Sequence, residues 1–127
     1  MYQDRIRMPS LLNRVMSADE AAGLIQDGMV VGMSGFTRAG DAKDIPVALA
    51  RRAQQQPLKI TLITGASLGH DSDKILVEAG VLARRMPFQV DTTLRAAINR
   101  GEVMFTDQHL SETVEFLRAG QYGDLDV

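Results

Sequence analysis

Apolar residues occur along the chain both in short runs and at helical spacing, and the two patterns alternate. Residues 29–33 form a continuous apolar run of strand length, which is typical of a strand buried on both faces of a parallel sheet. In residues 45–53 the apolar side chains repeat at intervals of three and four, which indicates a helix with one buried face. The alternation predicts an α/β domain with a mostly parallel sheet, flanked by helices in right-handed crossovers.

Capping residues, prolines and glycines mark where the predicted elements begin and end. Ser17 and Glu20 have the spacing of a capping box, in which each side chain accepts from the backbone amide of the other residue. Pro46 is tolerated in the first turn of a helix that starts near Asp44. Three further strands are predicted, at 59–64, 81–83 and 103–106. The later helix caps are predicted at Asp71 or Ser72, at Asp91 or Thr92, and at Ser111, with stops at Gly80, Gly101 and Gly120.

The two ends of the chain differ from this pattern. Residues 1–16 are mostly polar and contain Pro9, which predicts an arm with little structure of its own. Residues 124–127 begin like another strand and then stop. We therefore expect residues 1–127 to be a single α/β domain that belongs to a longer protein.

Composition and charge exclude several classes of function. A chain of 127 residues with 45% hydrophobic residues and a net charge of −2 is typical of one globular domain, and it lacks the basic excess of nucleic-acid binders. Cysteine is absent, which excludes disulfides, thiolate metal sites and Cys nucleophiles. No apolar run approaches the roughly 18 residues that a membrane span needs. The composition favours a cytoplasmic protein with no membrane partner.

Arginines and histidines are the other conspicuous polar residues. The two Arg-Arg pairs, at 51–52 and 84–85, are expected on solvated faces. His70 and His109 lack the three clustered ligands that a metal site needs, so no metal is expected. We expect His109 to bridge backbone groups near the end of a strand.

Two loops rich in small residues follow the first two predicted strands, at the edge where parallel sheets bind ligands. Glycines in the first loop, residues 32–40, would bring backbone amides near an anion or a thioester oxygen. Its glycine spacing is neither that of a dinucleotide fingerprint nor that of a P-loop. The pattern also fits a tight strand-to-helix connection without a ligand. In the second loop, residues 64–69, Ser67 could donate to a carboxylate, but the loop sequence alone favours a role in capping the next turn.

Residues 27–36, with Gly40 and Pro46, resemble the opening signature of family I CoA transferases. That signature is an Asp-Gly turn, an apolar strand and a small-Gly-Phe loop. From about residue 5 to 127, the chain is similar to the N-terminal domain of the acetyl-CoA hydrolase/transferase branch, which includes succinyl-CoA:acetate and propionyl-CoA:succinate CoA transferases. Further matching segments are 62–67, 87–88, 94–95, 98–101, Asp107 and 109–111.

The resemblance implies an enzyme of acyl-CoA metabolism. A glutamate carboxylate would attack a short-chain acyl-CoA, and CoA would pass through a glutamyl thioester to a carboxylic acid, or acetyl-CoA would be hydrolysed. CoA is then a substrate, and no cofactor is expected. Residues 1–127 are then expected to form the N-terminal part of a longer, two-domain enzyme. The nucleophile is expected beyond Val127, in the C-terminal half of the same enzyme, so this chain alone is expected to be inactive. The whole protein is expected to be bacterial and a homodimer.

The same resemblance implies that the first half of such an enzyme frames the pocket for the acyl group and the carboxylate. We expect Ser67 to contact the carboxylate, and a side chain at Gly35 to block ligand approach more than it disturbs folding. In a later turn the family often has a polar residue where this chain has Val90, beside Asp91. A non-catalytic small-molecule binding module and a structural or oligomerisation domain also fit the glycine loops. The expected substrate-binding residues are Ser34, Gly35, Phe36, Thr37, Gly65 and Ser67.

Overall fold

Four parallel strands form one sheet in the order β1-β2-β3-β4, as the alternating pattern predicts. The computed structural model of the chain describes residues 2–68 and 70–123. The strands are β1 (Val30–Gly32), β2 (Ile60–Ile63), β3 (Leu82–Met86) and β4 (Met104–Phe105). The α-helices are α1 (Ala18–Gly23), α2 (Asp44–Ala53), α3 (His70–Glu78), α4 (Thr92–Asn99) and α5 (Thr113–Arg118), and 3-10 helices occupy Tyr2–Arg5, Pro9–Arg14 and Leu110–Glu112.

Helices α1 to α4 form a layer on one face of the sheet. Each packs on the next. Helices α2, α3 and α4 connect strands that are neighbours in the sheet, and crossovers of one hand place them on the same side, whereas α1 precedes β1 and packs on α2. None of the described helices is long and apolar enough to cross a membrane. The core between the helices and the sheet contains fully buried apolar side chains, among them Leu49, Ile60, Leu62, Leu76, Leu82, Leu94 and Ala97.

The segment after β4 returns across the other face of the sheet. Tyr122 is buried, packs its ring at 6.0 Å from that of Phe116, and donates its hydroxyl hydrogen to the Gln108 side chain. Gly123 comes so near to β1 that a Cβ placed on it would lie 3.7 Å from a Val30 methyl. The residues after β4 therefore lead the chain from one edge of the sheet to the other.

Most predicted helix starts are confirmed. The Ser17 amide donates to the Glu20 carboxylate at 2.7 Å, and the Glu20 amide donates to the Ser17 hydroxyl at 3.2 Å, which completes the capping box. Helix α2 begins at Asp44, and Asp91 caps α4 by accepting from the Leu94 amide at 2.8 Å.

Two predicted caps are wrong. Helix α3 begins at His70, so Asp71 and Ser72 lie within its first turn and not before it. Ser111 does not cap the last helix, because a 3-10 turn comes first and His109 accepts from the Ser111 amide at 3.3 Å. The N-terminal arm is more regular than predicted, although neither of its 3-10 helices buries a residue. The strand start predicted at 124–127 lies outside the described residues.

Arg85 corrects the expectation that the Arg-Arg pair at 84–85 is solvated. Strand β3 extends through both arginines, and the Arg85 side chain is fully buried against Asp73 of α3. The Asp73 carboxylate, on the helix that covers the strand, provides the interaction that water would provide to an exposed arginine. At 51–52 the prediction fits Arg51, which is exposed, whereas the guanidinium of Arg52 donates to carbonyls at the end of α1.

Acid should break the capping box of α1. The Ser17 amide and hydroxyl hold the pKa of the Glu20 carboxyl below its ordinary value of 4.5. Because the folded pKa is the lower one, the stabilisation is present above pH 4.5 and is lost as the pH falls through the folded value. By NMR we expect the Glu20 carboxyl to titrate below 4.5. Ser17→Ala, which keeps the amide, should move that midpoint part of the way back; an identical titration in both proteins would contradict the assignment.

Candidate active site at the carboxyl ends of the strands

The loops after β1 and β2 pack side by side at the carboxyl edge of the sheet. The Thr37 amide donates to the Ala66 carbonyl at 2.8 Å, and the Leu68 amide donates back to the Thr37 carbonyl at 2.9 Å. These bonds extend the parallel pairing of β1 and β2 past the end of both strands. The predicted site residues on the two loops are therefore brought together.

The first loop projects beyond the sheet as a tight turn. Phe36 and Ala39 exchange two backbone hydrogen bonds, of 3.0 and 2.9 Å, and the Ser34 hydroxyl donates to the Gly40 carbonyl. Thr37, within this turn, has a φ of 54°, a left-handed conformation that is uncommon for a β-branched residue. The turn holds the Phe36 side chain outward, 64% exposed.

Gly35 and Gly65 are required by the contact between the two loops. A Cβ on Gly65 would lie 2.5 Å from the Gly35 carbonyl oxygen. One on Gly35 would lie 2.8 Å from the Ser67 Cβ and closer still to the Asp41 carboxylate. The side of Gly35 where a side chain would stand is thus filled by protein. A larger residue there disturbs the packing of the loops before it reaches a ligand, which changes the expected effect of Gly35→Val.

Ser67, a residue of the β2 loop, is buried, with 3% of its surface exposed. Its hydroxyl donates to one oxygen of the Asp41 carboxylate at 2.9 Å, and the other Asp41 oxygen is buried with no hydrogen-bond partner among the described residues. The pair ties the β2 loop to the segment that leads into α2. Direct contact of Ser67 with a substrate stays a prediction.

The loop after β3 is fixed to both of its neighbours. The Met86 carbonyl accepts from the Thr64 amide of the β2 loop at 3.1 Å. On the other side, the Pro87 carbonyl accepts from the Gln108 amide at 3.2 Å. The Gln89 side chain donates to the carbonyls of Arg85 and Thr106, both at 3.1 Å. The Met86-Pro87 peptide bond is cis.

A cavity of about 430 Å³ opens between the loops that follow β2, β3 and β4. His109 faces it with an imidazole whose Nδ1 is 2.7 Å from the Ser111 hydroxyl and accepts from the Ser111 amide at 3.3 Å. Among the described residues the ring thus contacts one backbone group, where a bridge between backbone groups was predicted. A larger cavity, of about 490 Å³, lies between α4 and the unpaired edge of β4, away from the glycine loops. The smaller cavity is the better candidate because it adjoins the β2 loop. Its lining residues are Ala66, Phe88, Asp107, Gln108, His109 and Leu110.

A buried ion pair supports the β3 loop from below. The Arg85 Nε donates to the Asp73 carboxylate at 2.9 Å, and the Arg85 Nη1 donates to the Met86 carbonyl. Burial raises the pKa of the Asp73 carboxyl, and the Arg85 guanidinium opposes that rise. The second Asp73 oxygen and the Arg85 Nη2 have no hydrogen-bond partner in the described part of the chain.

The family is decided by comparison with known proteins. Residues 2–127 match the model of the acetyl-CoA hydrolase/transferase N-terminal domain. The chain belongs to the acetyl-CoA hydrolase/transferase family. Within that family it is 44% identical over 117 residues to a propanoyl-CoA:succinate CoA transferase of Escherichia coli, covering 88% of this chain and 24% of the relative.

Two further members of the acetyl-CoA hydrolase/transferase family show the range of named activities. A succinyl-CoA:acetate CoA-transferase of Clostridium kluyveri is 37% identical over 127 residues, covering 98% of this chain and 24% of the relative. An acetyl-CoA hydrolase of Kluyveromyces lactis is 36% identical over 126 residues, covering 96% of this chain and 24% of the relative. The chain spans about a quarter of the length of these curated relatives.

None of the five glutamates of this acetyl-CoA hydrolase/transferase domain lines the candidate cavity. Glu20 caps α1, Glu78 faces Lys74 along α3 at 4.0 Å, and Glu102 pairs with Arg100 at 2.7 Å before β4. Glu112 and Glu115 belong to the helical segment after the cavity, and none of the five lines it. No group of three His, Asp or Glu side chains suited to a metal occurs among residues 2–68 and 70–123.

Proposed function

We propose that the protein to which this chain belongs transfers CoA between a short-chain acyl-CoA and a carboxylic acid, or to water, and that this domain supplies one wall of the active site. The observation that carries the proposal is the cavity at the carboxyl edge, which opens between the loops that follow β2, β3 and β4 and has no glutamate among its lining residues. The named activities of the three relatives, two transferases and one hydrolase, support the same chemistry.

The proposed reaction uses a glutamate from outside this chain. Its carboxylate attacks the thioester carbonyl, the C–S bond breaks, and CoA thiolate leaves an acyl-glutamyl anhydride. The thiolate then attacks the glutamyl carbonyl of the anhydride, which forms a glutamyl-CoA thioester and releases the first carboxylic acid. A second carboxylate reverses these steps to give the new acyl-CoA, whereas water would release CoA instead.

This domain would bind and orient the substrates. We propose that the acyl group and the carboxylate lie against the β1 and β2 loops, with the Phe36 ring as an exposed apolar surface. The backbone bonds between Thr37 and the β2 loop support this, because they fix both loops relative to each other before a ligand arrives. The remaining proposed contacts are Ser34, Gly35, Thr37, Gly65 and Ser67.

The exchange of labelled acetate or succinate into acyl-CoA tests the proposal in the protein as its gene encodes it. We expect label in acyl-CoA for a transferase, or free CoA without label for a hydrolase. Binding of acyl-CoA with neither product would instead indicate a binding module. The 127-residue chain alone should show no thioester loss above buffer. Turnover by the chain alone that a substitution within it removes would contradict the external nucleophile.

Ser67→Ala separates a substrate contact from a structural hydrogen bond. If Ser67 contacts the carboxylate, loss of a bond to a charged group, about 1.5–3 kcal/mol, should weaken use of the acceptor acid by roughly tenfold or more. Acyl-CoA kinetics should change little. If the hydroxyl serves only Asp41, the melting temperature falls and acceptor kinetics stay the same. Steady-state kinetics in both substrates, with a thermal melt, decide between these outcomes.

The partners of this domain are part of the same proposal. Met104 and Phe105, on the outer strand β4, are exposed by 60% and 52%, which supports contact with another part of the protein. We propose that the remainder of the same polypeptide covers this edge. A homodimer and a cytoplasmic location stay predictions from the sequence.

A further inference from the structure

The Arg85 side chain connects the end of β3 to helix α3. Its backbone lies in β3, its Nε donates to Asp73 on α3 at 2.9 Å, and its Nη1 donates to the Met86 carbonyl. Both charged side chains are buried, with 0% of Arg85 and 1% of Asp73 exposed. The planar guanidinium can hold such a geometry because its donors are fixed relative to one another.

The Met86 carbonyl is the point where β3 turns into its loop. It accepts from Arg85 on one side and from the Thr64 amide, at 3.1 Å, on the other. Two residues later, Phe88 lines the cavity at the carboxyl edge. The two hydrogen bonds to this carbonyl therefore hold the backbone two residues before Phe88.

Stability alone does not explain a charged pair at this position. A buried ion pair replaced by apolar side chains of similar volume leaves many proteins equally stable or more stable. Here one oxygen of Asp73 and one nitrogen of Arg85 lack hydrogen-bond partners among the described residues, so the pair is not fully satisfied. An apolar pair would fill the space, but it could not donate to the Met86 carbonyl.

We infer that Asp73 and Arg85 are a positioning pair, in which Asp73 orients the Arg85 guanidinium and Arg85 fixes the β3 loop so that Phe88 holds the acyl-CoA or carboxylate for attack. The expected effect of the pair on the rate of CoA transfer or hydrolysis rests on the proposed function. The structural consequence, a β3 loop held by Arg85, does not depend on the reaction.

The test replaces the pair by apolar residues, Asp73→Val with Arg85→Met, in the protein as its gene encodes it. The matched control makes the same changes at the exposed pair, Glu102→Val with Arg100→Met, which lies before β4 and away from the cavity. We expect both variants to melt near the wild-type temperature. In the first, kcat should fall about 100-fold, as for a reacting group misplaced by about 1 Å, with the KM for acyl-CoA within about twofold.

Amide hydrogen exchange measures whether Arg85 holds the β3 loop, whereas a fall in kcat at constant KM is the effect that a merely structural pair would not produce. Exchange at Thr64 and Gln108, whose amides bond the carbonyls of Met86 and Pro87, should accelerate at least about tenfold in the apolar variant and not in the control. If the apolar variant does not fold, Arg85→Lys, which keeps the charge but not the planar fork, takes its place.

Unchanged kcat and unchanged exchange in a folded variant would overturn the inference. Faster exchange with wild-type kcat would overturn the kinetic half of it. If the wild-type protein transfers no CoA and hydrolyses no acyl-CoA, the proposed function fails, and the exchange rates alone decide whether Arg85 holds the loop.

Discussion

Arg85→Met alone is expected to lower the free energy of unfolding by about 3–5 kcal/mol, because it leaves the Asp73 carboxylate buried without its cation. Chemical denaturation measures this directly. Arg100→Met, which removes the cation of an exposed pair, should change the free energy of unfolding little. Adding Asp73→Val to Arg85→Met should recover most of the loss, since no charge then remains buried.

The loss in Arg85→Met should depend on pH in a defined direction. Burial already raises the pKa of Asp73 above its ordinary value of 3.8, and removal of Arg85 raises it further. A carboxyl whose pKa is higher in the folded protein than in the unfolded one costs no stability below the unfolded pKa, where it is protonated in both states. As the pH rises from the unfolded pKa through the folded pKa, the free energy of unfolding falls, because the carboxyl ionises more readily in the unfolded protein than when it is buried. The deficit should therefore shrink toward pH 3.8 and be largest at neutral pH. A deficit independent of pH would show that Asp73 is not the buried charge responsible.

Gly65→Ala is expected to disrupt the site more than any other single methyl group added to these loops. The new Cβ would lie 2.5 Å from the Gly35 carbonyl oxygen, a backbone atom that can move only if the loops separate. Overpacking of this kind costs about 1–3 kcal/mol of stability. A shift of about 1 Å in the loops would lower kcat/KM by about 100-fold in the enzyme we propose.

Gly32→Ala is the matched control for Gly65→Ala. Gly32 ends β1, and a Cβ there would have no atom of the described residues within 4 Å. Its stability and kcat/KM should stay near those of the wild type. If Gly65→Ala matches Gly32→Ala in a melt and in steady-state kinetics, close contact between the loops is not needed for function. Gly35→Val should resemble Gly65→Ala, with folding affected as well as activity.

Local sequence patterns were sufficient to predict the strands and most helix starts, because these depend on interactions between residues close together in the sequence. The capping box at Ser17 and Glu20 and the cap at Asp91 are decided by residues three positions apart. The adjacency of the two glycine loops followed from topology, since neighbouring parallel strands end at the same edge. Both kinds of inference need no knowledge of distant contacts.

The interior of the site depends on contacts that no local pattern contains. Ser67 meets Asp41 from 26 positions away, and Arg85 meets Asp73 from 12. From the sequence alone, the adjacent Arg84 and Arg85 are both expected to be exposed; Arg85 is buried because helix α3 covers strand β3 and brings Asp73 to it. Asp107 and His109 were part of the family resemblance, but nothing in their spacing indicated that they line a cavity with Phe88.

A crystal structure of the protein as its gene encodes it, with CoA and a carboxylic acid bound, tests the location of the site most directly. We expect atoms of the acyl group or the carboxylate within about 4 Å of Phe88 and of the β2 loop at Ala66. A glutamate from beyond Val127 should approach from the opposite side. Ligands bound instead in the larger cavity between α4 and β4, with the carboxyl-edge cavity filled by protein, would contradict the account.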